Sequence, residues 1–594
     1  VAKFIDTLAI SYYLYIDRMK HGLEAWGEEL GFPKPEVEDW ENLSVEEYIH
    51  RCESDVEINS RLFLQMFDYL LGIYGNLQNV INFVSYLSFK MDCLREQEEE
   101  GITTNQELIL SHLTNLEVEF NNKTQLLRSV MPTDLGRVIK TRPKNMFKQN
   151  GDLSAHGVKW LQYLRDNNLD ETILEVREEA NPGSDTQLKT WLYRLGWKPI
   201  TFKVSKSKGN KGEKIPQVSL PFGQGICSSV KELYEVEPNL EALEGYFKTK
   251  HRIGVFQSYL DGTSDGKVYA TAHGFTNTLR LTHSKPVVNL PKPGVYYGKE
   301  VREVLTIPDD SYIMVGSDVS GLEDNTKQHY IYFYDPDYVT QMRVPGFDPH
   351  IDIGVLAGLI TLEEEALFKK VEAMSDDEKE TLTEEEKIKY KKIKKVRGTA
   401  KSANFAATYG AGGPKIAETA KIPLEEGQKL HKIYWKRNWA VKKIADTCTV
   451  KEVAYNKHYK EPIYGEDVDA EGNRIVTGYE WKTKVAHQKW LYNSLSGYWL
   501  FLKAEKDRFS TLNQSTGVFV FDSWVFQVRK RLKSLKIGLC LQYHDEILLY
   551  FKKEHKEEVA EILRESMKIV NEKLKLNVEI KISIDYGTNY AECH

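Results

Sequence analysis

Cysteine is scarce in this sequence, and the few cysteines present are not arranged in pairs. Only six of the 594 residues are cysteines, and no C-x-x-C pair is among them. Neither a disulfide framework nor a zinc site built on paired cysteines is therefore indicated. Unpaired cysteines fit a reducing compartment, so the sequence predicts a cytoplasmic protein.

Long hydrophobic runs, a signal peptide and a positive net charge are lacking as well. No stretch approaches the length of a membrane span, so we expect no membrane association. The net charge is −7, which argues against a histone-like binder of polyanions. Basic residues are nevertheless gathered in the runs 137–148, 203–214 and 387–401, which leaves room for a nucleic-acid enzyme with a basic groove.

A chain of 594 residues is too long for one hydrophobic core, and we expect roughly three to five domains or subdomains. With 41% hydrophobic and 28% charged residues, the composition is that of a folded protein. The chain begins at Val1 in what reads as the middle of a strand, so we expect further sequence upstream.

The stretch Leu539–Phe551 is the first chemically informative segment. Apolar residues flank the polar island His544-Asp545-Glu546 on both sides, and such short runs predict two strands joined by a tight turn. Two adjacent carboxylates at the tip of a hairpin repel each other, and a divalent cation would relieve the repulsion. A hairpin with an ordinary polar turn explains this stretch equally well.

A second carboxylate follows a strand-like run. The run Tyr312–Asp318 is rich in apolar residues and ends in Asp318, much as the later hairpin ends in Asp545. Two carboxylates on neighbouring strands are what a two-cation site for phosphoryl transfer requires.

A helix predicted over residues 395–410 supplies a third element. Arg397, Lys401, Phe405 and Tyr409 follow one another at steps of four and therefore share one helical face. Cations on such a face can hold a triphosphate, and aromatic rings can stack on a sugar and a base. A surface helix with two aromatic residues turned towards the core is the alternative interpretation.

Several other elements are predicted from apolar spacing and turn signals. An α/β unit is expected over 1–75, long helices over 76–130 and a charged helical insertion over 363–395. Strands are expected at 301–305, within 448–485 and at 578–584, and an amphipathic helix over 556–574.

These motifs and their order resemble those of family A DNA-dependent DNA polymerases, the group of bacterial DNA polymerase I, and especially the replicative polymerases of short-tailed phages. Residues 318–323 resemble the family's motif A, 397–410 its motif B and 544–546 its motif C. The segments 280–283, 289–291 and 514–517 resemble stretches that grip the primer and template. After Glu323 the sequence departs from the family's usual residues.

The resemblance implies an α+β fold of the right-hand polymerase type, with thumb, palm and fingers. The expected thumb is 76–254, with an insertion at about 130–180. The expected palm is 255–335 and 481–594, and the expected fingers are 336–480. Residues 1–75 would be the C-terminal remnant of an α/β 3′–5′ exonuclease domain.

The resemblance also implies roles for individual residues. Two Mg²⁺ ions, which Mn²⁺ can replace, would be held by Asp318, the Val319 carbonyl, Asp545 and Glu546. The catalytic residues would be Asp318, Asp545 and Lys401, the last giving a proton to the leaving pyrophosphate. The expected nucleotide-binding residues are His350, Glu323, Arg397, Lys401, Phe405, Tyr409 and Gly410. The expected DNA-binding residues are Arg280, His283, Arg302, Gln514 and His544.

Two of these roles bear on nucleotide selection. Glu323 would crowd the sugar 2′ position and exclude ribonucleotides. Phe405 implies discrimination against dideoxynucleotides.

In the exonuclease remnant, Asp55 stands where the last metal carboxylate of that domain belongs, with His50 before it. The other two exonuclease motifs are absent from the sequence, so we expect no proofreading from this chain as given.

The implied function is DNA-directed DNA synthesis on a primer–template with dNTPs, in phage genome replication within the host bacterial cytoplasm. A processivity factor or a helicase would be a further partner. A single-subunit RNA polymerase and an inactive scaffold that holds primer–template are the alternatives; Glu323 and Phe405 argue against the first, and Asp318, Asp545 and Lys401 against the second.

Overall fold

The computed structural model of the chain describes residues 5–37, 43–139, 142–143, 146, 153–166, 175–177, 179–205, 212–220, 225–468 and 474–593. Two compact units divide the chain. The first comprises Val1–Ile102, Tyr269–Val288 and Ile307–His594, and the second comprises Thr103–Val268 and Asn289–Thr306. Each unit is thus assembled from segments that are separated in the sequence.

The first unit combines helices with antiparallel strands, in agreement with the predicted α+β class; labels follow chain order through both units. Its helices are α1 (Thr7–Leu14), α2 (Leu23–Glu29), α3 (Val45–Tyr74), α4 (Leu77–Glu100), α11 (Leu322–Ile331), α12 (Pro336–Met342), α13 (Pro349–Leu356), α14 (Leu362–Glu372), α15 (Asp376–Glu380), α16 (Glu384–Thr408), α17 (Gly413–Ala420), α18 (Leu424–Arg437), α19 (Trp439–Thr447), α20 (Arg508–Leu532) and α21 (Lys556–Leu574). Its strands are β7 (Ala272–Phe275), β8 (Leu281–His283), β10 (Tyr312–Asp318), β11 (Val450–Val468), β12 (Arg474–Asn493), β13 (Tyr498–Phe501), β14 (Leu541–Tyr543), β15 (Glu546–Lys552) and β16 (Asp585–Gly587).

The second unit is smaller. Its helices are α5 (Gln106–Val130), α6 (Ala155–Asp166), α7 (Asp185–Arg194), α8 (Ser228–Lys231), α9 (Tyr246–Gly262) and α10 (Gly298–Glu303). Its short strands are β1 (Ile102–Thr104), β2 (Arg137–Ile139), β3 (Glu175–Arg177), β4 (Phe202–Val204), β5 (Lys214–Pro216), β6 (Lys267–Val268) and β9 (Leu305–Thr306). Buried Leu127, Trp191 and Tyr246 belong to one core cluster that joins α5, α7 and α9.

A four-stranded antiparallel sheet lies at the centre of the first unit, in the order β14-β15-β10-β16. Strands β10 and β15 pair along their whole length, from Tyr312 opposite Lys552 to Asp318 opposite Glu546. Consecutive residues Ile547, Leu548 and Leu549 are all buried, so both faces of β15 are covered. The sheet is therefore a rigid base for the acidic residues at its end.

Helices α20 and α21 pack together beside this sheet. Val520, Trp524 and Val528 of α20 share a core cluster with Leu563 and Met567 of α21 and with residues of β10 and β15. The Trp524 indole N–H donates to the Leu563 carbonyl at 3.1 Å, which satisfies the polar atom of an otherwise apolar contact. The predicted amphipathic helix at 556–574 is confirmed.

Strands β11 and β12 form a long hairpin, in agreement with the strands predicted within 448–485. At its base the hairpin packs against α3, where Tyr69 and Tyr455 stack with ring centroids 5.1 Å apart. The Tyr69 hydroxyl donates to Gln488 at 2.6 Å, so this aromatic contact also has a directional polar bond.

The predicted charged insertion at 363–395 is helical. Capping boxes at Thr361, Ser375 and Thr383 open α14, α15 and α16 in turn, which satisfies amide groups that the first turn of each helix would leave unpaired. Helices α14 and α16 are also joined by ion pairs, Lys392 with Glu364 at 3.1 Å and Lys370 with Glu386 at 3.2 Å. Most of the charge in the insertion thus lies on exposed helix faces.

Two predicted strands are wrong. Residues 301–305 were expected to be a strand, but residues 301–303 end α10, where Val301 and Val304 are buried at a spacing that fits a helical turn, and only Leu305 belongs to a strand, as the first residue of β9. Residues 578–584 form no regular strand and contribute only an isolated bridge between Ile582 and Val319, and β16 begins after them at Asp585.

The α/β unit expected over 1–75 is not observed in the described part of this segment. Residues 5–37 and 43–75 contain α1, α2 and α3 and no strand. Asp6 caps α1 by accepting the amides of Leu8 and Ala9 at 2.9 and 3.1 Å, so the chain begins a helix there. Among the described residues, no helix is long and apolar enough to cross a membrane.

A buried ion pair fixes α4 against α20 and gives a stability prediction. Lys90 Nζ lies 2.6 Å from Asp522 Oδ2, their side chains are 4% and 5% exposed, and the Tyr86 hydroxyl also donates to Asp522. Replacing Lys90→Met leaves a buried carboxylate without its cation, so the free energy of unfolding should fall by about 3–5 kcal/mol in urea denaturation. The double variant Lys90→Met/Asp522→Leu should recover most of that loss, and an equal loss in both variants would contradict this assignment.

Candidate active site

The turn between β14 and β15 consists of His544 and Asp545. Tyr543 and Glu546 close the turn as the last cross-strand pair of the hairpin. His544 has φ of 60°, in the left-handed region that two-residue hairpin turns require. The predicted hairpin is confirmed, with the difference that Glu546 is the first residue of β15 and only His544 and Asp545 form the tip.

The end of β10 lies directly beside this tip. Asp318 is the last residue of β10 and stands opposite Glu546 in the strand register. One residue later, the Val319 amide donates to the Asp545 carbonyl at 2.9 Å. The structure therefore brings together the two acids that the sequence analysis paired.

The electrostatics of the two acids reflect this proximity. Burial, followed by the negative charges of Asp545 and Glu546, raises the pKa of Asp318 to about 7. Burial also raises the pKa of Asp545, while the positive charge of Arg280 opposes that shift. The charged form of each acid is therefore less stable than that of an exposed carboxylate. A cation placed between the two acids would stabilise both charged forms.

Glu546 is buried and faces away from solvent. Its Oε2 accepts the Tyr590 hydroxyl at 3.0 Å. The C-terminal segment lies against β10 here, since a Cβ added at Gly316 would come within 2.7 Å of the Cys593 carbonyl and 3.1 Å of Glu546 Oε1. Tyr590 was missed by the sequence analysis, because no motif connects it to the hairpin.

The chemistry of these donors fits a hard divalent cation. Carboxylate and main-chain carbonyl oxygens are the ligands that Mg²⁺ prefers. No group of three or more His, Cys, Asp or Glu side chains is arranged to hold a metal ion in the part of the chain that the structure describes. The fit of this site to a divalent cation therefore rests on Asp318 and Asp545, which repel each other as anions. The roles of Val319 and Glu546 as metal ligands stay predictions.

Helix α16 has two distinct faces, as its spacing predicts. Lys401, Phe405 and Tyr409 are exposed, with 47% of Phe405 accessible, and Arg397 on the same face is half-buried. The opposite face is buried and mostly alanine, with Ala400, Ala403 and Ala407 among its members. The alternative in which the aromatic residues turn towards the core is wrong. Gly410, with φ of 73°, ends the helix.

A polar cluster holds the first part of this face against the N-terminus of α13. Asp348 caps α13 by accepting the amides of His350 and Ile351 at 2.8 and 2.9 Å. Its other oxygen accepts Arg397 at 2.7 Å from Nε. Asn404 donates to His350 Nδ1 at 2.9 Å. Burial, opposed in part by Asp348, lowers the pKa of His350 to about 4.

A second polar cluster connects the end of α16 with α11. Glu323 accepts Arg280 at 2.7 Å through one oxygen and the Tyr409 hydroxyl at 2.7 Å through the other. Gln514 in turn donates to the Tyr409 hydroxyl at 3.1 Å. Four residues that the sequence analysis assigned to nucleotide and DNA binding are thus connected by hydrogen bonds.

The remaining predicted DNA-binding residues occupy different places. The His283 ring donates to the Gln542 carbonyl at 2.7 Å, next to the hairpin, and burial lowers the pKa of His283. The ring of His544 lies against Tyr543. Arg302 belongs to the second unit, where it is buried and donates to the Pro291 carbonyl at 2.8 Å. These roles stay predictions.

His50 and Asp55, the predicted exonuclease remnant, lie on α3. His50 is exposed, and Asp55 forms an ion pair with Lys34 at 2.5 Å. The assignment of both residues to an exonuclease site stays a prediction.

Asp348 and Asn404 were also missed as site residues. An Asp-Pro pair ahead of an apolar segment is a signal for a helix N-terminus, so the capping role of Asp348 was accessible from sequence. Its contact with Arg397 spans 49 positions and depends on tertiary packing.

Comparison with known proteins identifies relatives of this chain. Residues 350–592 match the family model described as DNA polymerase family A. A DNA-directed DNA polymerase of Enterobacteria phage T3 is 22% identical over 445 residues, 70% of this chain and 53% of that protein. DNA polymerase I of Caldicellulosiruptor bescii is 23% identical over 521 residues, 86% of this chain and 52% of that protein. The chain therefore spans about half the length of these curated relatives.

A solved structure shows the same fold. It is described as the POL domain of Pol1 from M. smegmatis in complex with DNA primer-template and dNTP. The two align with a TM-score of 0.56 at 15% identity, covering 99% of this chain and 82% of that one. This similarity confirms the predicted polymerase fold.

The raised pKa of Asp318 gives a prediction about stability and Mg²⁺. A carboxyl whose folded pKa exceeds its unfolded value contributes less stability as pH rises from the usual 3.8 to about 7, because the unfolded state releases its proton first. Mg²⁺ bound by the charged acids should offset this loss. We expect MgCl₂ to raise Tm in calorimetry more at about pH 8 than at about pH 5, where Asp318 stays protonated. The shift at the higher pH should be much smaller in Asp318→Asn, and an undiminished shift there would contradict the prediction.

Proposed function

We propose that this chain is a DNA-directed DNA polymerase of family A, because residues 350–592 match that family's model and phage DNA polymerases are among its relatives. It would extend the 3′-hydroxyl of a primer on a DNA template with dNTPs and release pyrophosphate. The observation that carries the proposal is the juxtaposition of Asp318 and Asp545 at the end of the central sheet. Their mutual repulsion is the property that a metal-dependent phosphoryl-transfer site uses.

We assign the palm to 255–335 and 481–594, the fingers to 336–480, the thumb to 76–254 and an exonuclease remnant to 1–75. Strands β10, β14 and β15 support the palm assignment, since they carry the paired acids. Helix α16 supports the fingers assignment, because it presents two cations and two aromatic rings on one face.

The acids would serve as the ligands of two Mg²⁺ ions, with the Val319 carbonyl and Glu546 as further ligands. Bound Mg²⁺ would lower the pKa of the primer hydroxyl and neutralise charge on the leaving pyrophosphate. In the reaction the primer 3′-hydroxyl would release its proton to solvent, its oxygen would form a bond to the α-phosphorus, and the bond from that phosphorus to the bridging oxygen of the β-phosphate would break. Lys401 would donate a proton to the pyrophosphate as it leaves.

The exposed face of α16 would bind the incoming nucleotide. Arg397, Lys401 and the His350 ring would contact the triphosphate, where charge-assisted hydrogen bonds are strongest. Phe405 would stack on the nucleotide, and Tyr409, at the end of the helix beside Gly410, would occupy the templating position until the fingers close. Because Tyr409 and Arg280 are hydrogen-bonded to Glu323, closing would have to break or rearrange these bonds.

Glu323 would also exclude the ribose 2′-hydroxyl, and Arg280, His283, Arg302, Gln514 and His544 would contact primer and template. The phage relatives support a role in phage genome replication in the host bacterial cytoplasm. A processivity factor or helicase as partner stays a prediction.

Primer extension with Mg²⁺, carried out once with dNTPs and once with rNTPs, is the direct test. Wild-type protein should extend a DNA primer with dNTPs and not with rNTPs. Asp318→Asn and Asp545→Asn should each lower the rate by at least ~10³-fold, since each removes a charge on which metal binding depends. Asp310→Asn, which changes an exposed acid at the opposite end of β10, is the matched control.

Two outcomes would overturn the proposal. Equal use of rNTPs would favour a single-subunit RNA polymerase. Binding of primer–template without any extension would favour an inactive scaffold.

A further inference from the structure

One polar residue lies on the otherwise apolar buried side of α16. Asn404 is 7% exposed, and the other buried residues of this helix in the described chain are Ile393, Ala400, Ala403 and Ala407. Burying an amide side chain is unfavourable unless its polar atoms find hydrogen-bond partners. Within the residues that the structure describes, the Oδ1 of Asn404 is buried without a hydrogen-bond partner, so the contacts of its Nδ2 should explain why an amide occupies this position.

Both contacts of the Asn404 amide nitrogen lead to the N-terminus of α13. Its Nδ2 donates to the Pro349 carbonyl at 3.4 Å and to the His350 Nδ1 at 2.9 Å. A carbonyl oxygen only accepts hydrogen bonds, so the Pro349 contact fixes which end of the amide faces α13. His350 Nδ1 must then accept, and a neutral ring carries its proton on Nε2.

The neighbouring contacts keep the ring in place. Asp348 accepts the His350 amide at 2.8 Å and also holds Arg397 of α16, with Nη2 2.6 Å from the carboxylate. The ring lies beside Phe405, with centroids 6.0 Å apart. His350, in the first turn of α13, thus lies against α16, the helix that carries the predicted nucleotide ligands.

We propose that Asn404 is a positioning residue that keeps His350 in the Nε2–H form, so that a neutral imidazole donates a hydrogen bond to the triphosphate of the incoming nucleotide. The inference rests on the proposed function, since it concerns how that nucleotide is held. The other tautomer would present a lone pair to an anionic phosphate oxygen, and that contact would be repulsive.

The charges around His350 favour the neutral ring. Burial lowers the pKa of His350 to about 4, Asp348 at the start of α13 opposes the shift, and the cations Arg397 and Lys401 of α16 and Lys327 of α11 add to it. The ring therefore stays neutral near neutral pH, where only the tautomer decides whether Nε2 donates or accepts.

The substitution Asn404→Asp tests this role with little change in size. A carboxylate at this position would accept a hydrogen bond from Nδ1–H, so a neutral His350 ring would carry its proton on Nδ1 and none on Nε2, and the pKa of His350 would rise. At about pH 8 the KM for dNTP in primer extension should rise about tenfold or more, the effect of losing one hydrogen bond to a charged acceptor, with a smaller change in kcat. At about pH 6 the KM should return towards the wild-type value, because the imidazolium carries protons on both nitrogens. The wild-type KM should change little between these two pH values.

The double variant His350→Ala/Asn404→Asp is the matched control, and its KM should resemble that of His350→Ala at both pH values.

Nitrogen NMR of ¹⁵N-histidine-labelled protein measures the tautomer of His350 without any change at Asn404. The His350 signals are assigned by their absence from the His350→Ala spectrum. We expect the wild-type ring to be protonated on Nε2. A wild-type ring protonated on Nδ1, or an Asn404→Asp KM with the pH dependence of wild type, would overturn the inference. Absence of dNTP incorporation by wild type would instead overturn the proposed function, while the NMR result would still decide the tautomer.

Discussion

The antiparallel register between β10 and β15 is the constraint on which the site depends. Pairing along seven positions places Asp318 opposite Glu546 and leaves Asp545 at the adjoining turn. Buried apolar residues along both strands fix this register, because a slip by one residue would turn the apolar side chains to the wrong face. The sheet thus holds two carboxylates together against their repulsion, and the energy of its core sustains an arrangement that is unfavourable without a cation.

Helix α16 forms the second part of the site, because one of its faces is buried and the other is exposed. Its small buried residues let it pack closely on α13 and α18, and this packing leaves Lys401, Phe405 and Tyr409 accessible. Polar contacts then secure both ends of the exposed face, Asp348 with Arg397 at one end and Glu323 with Tyr409 at the other. Arg397 and Tyr409, which we propose contact the nucleotide and template, are therefore ordered by contacts within the protein, which reduces the entropy lost when a ligand binds.

The elements with strong local patterns could be predicted from sequence, and those that depend on tertiary contacts could not. The apolar run ending at Asp318, the hairpin around Asp545 and the four-residue spacing in α16 each identify a strand, a turn or a helix face by periodicity alone. Residues 301–305 were misassigned because a short apolar segment fits both periods. Asn404 and Tyr590 could not be found, because their partners His350 and Glu546 lie 54 and 44 positions away and no local pattern connects them.

The central claim is that Asp318 and Asp545 act as one cation site. Anomalous diffraction from crystals of the protein grown with primer–template and a non-reactive dNTP analogue, then soaked in MnCl₂, tests it most directly, since Mn²⁺ accepts the same oxygen ligands as Mg²⁺. The account predicts anomalous density in ligand contact with the carboxylates of both residues. Density at only one of them, or at neither, would contradict it.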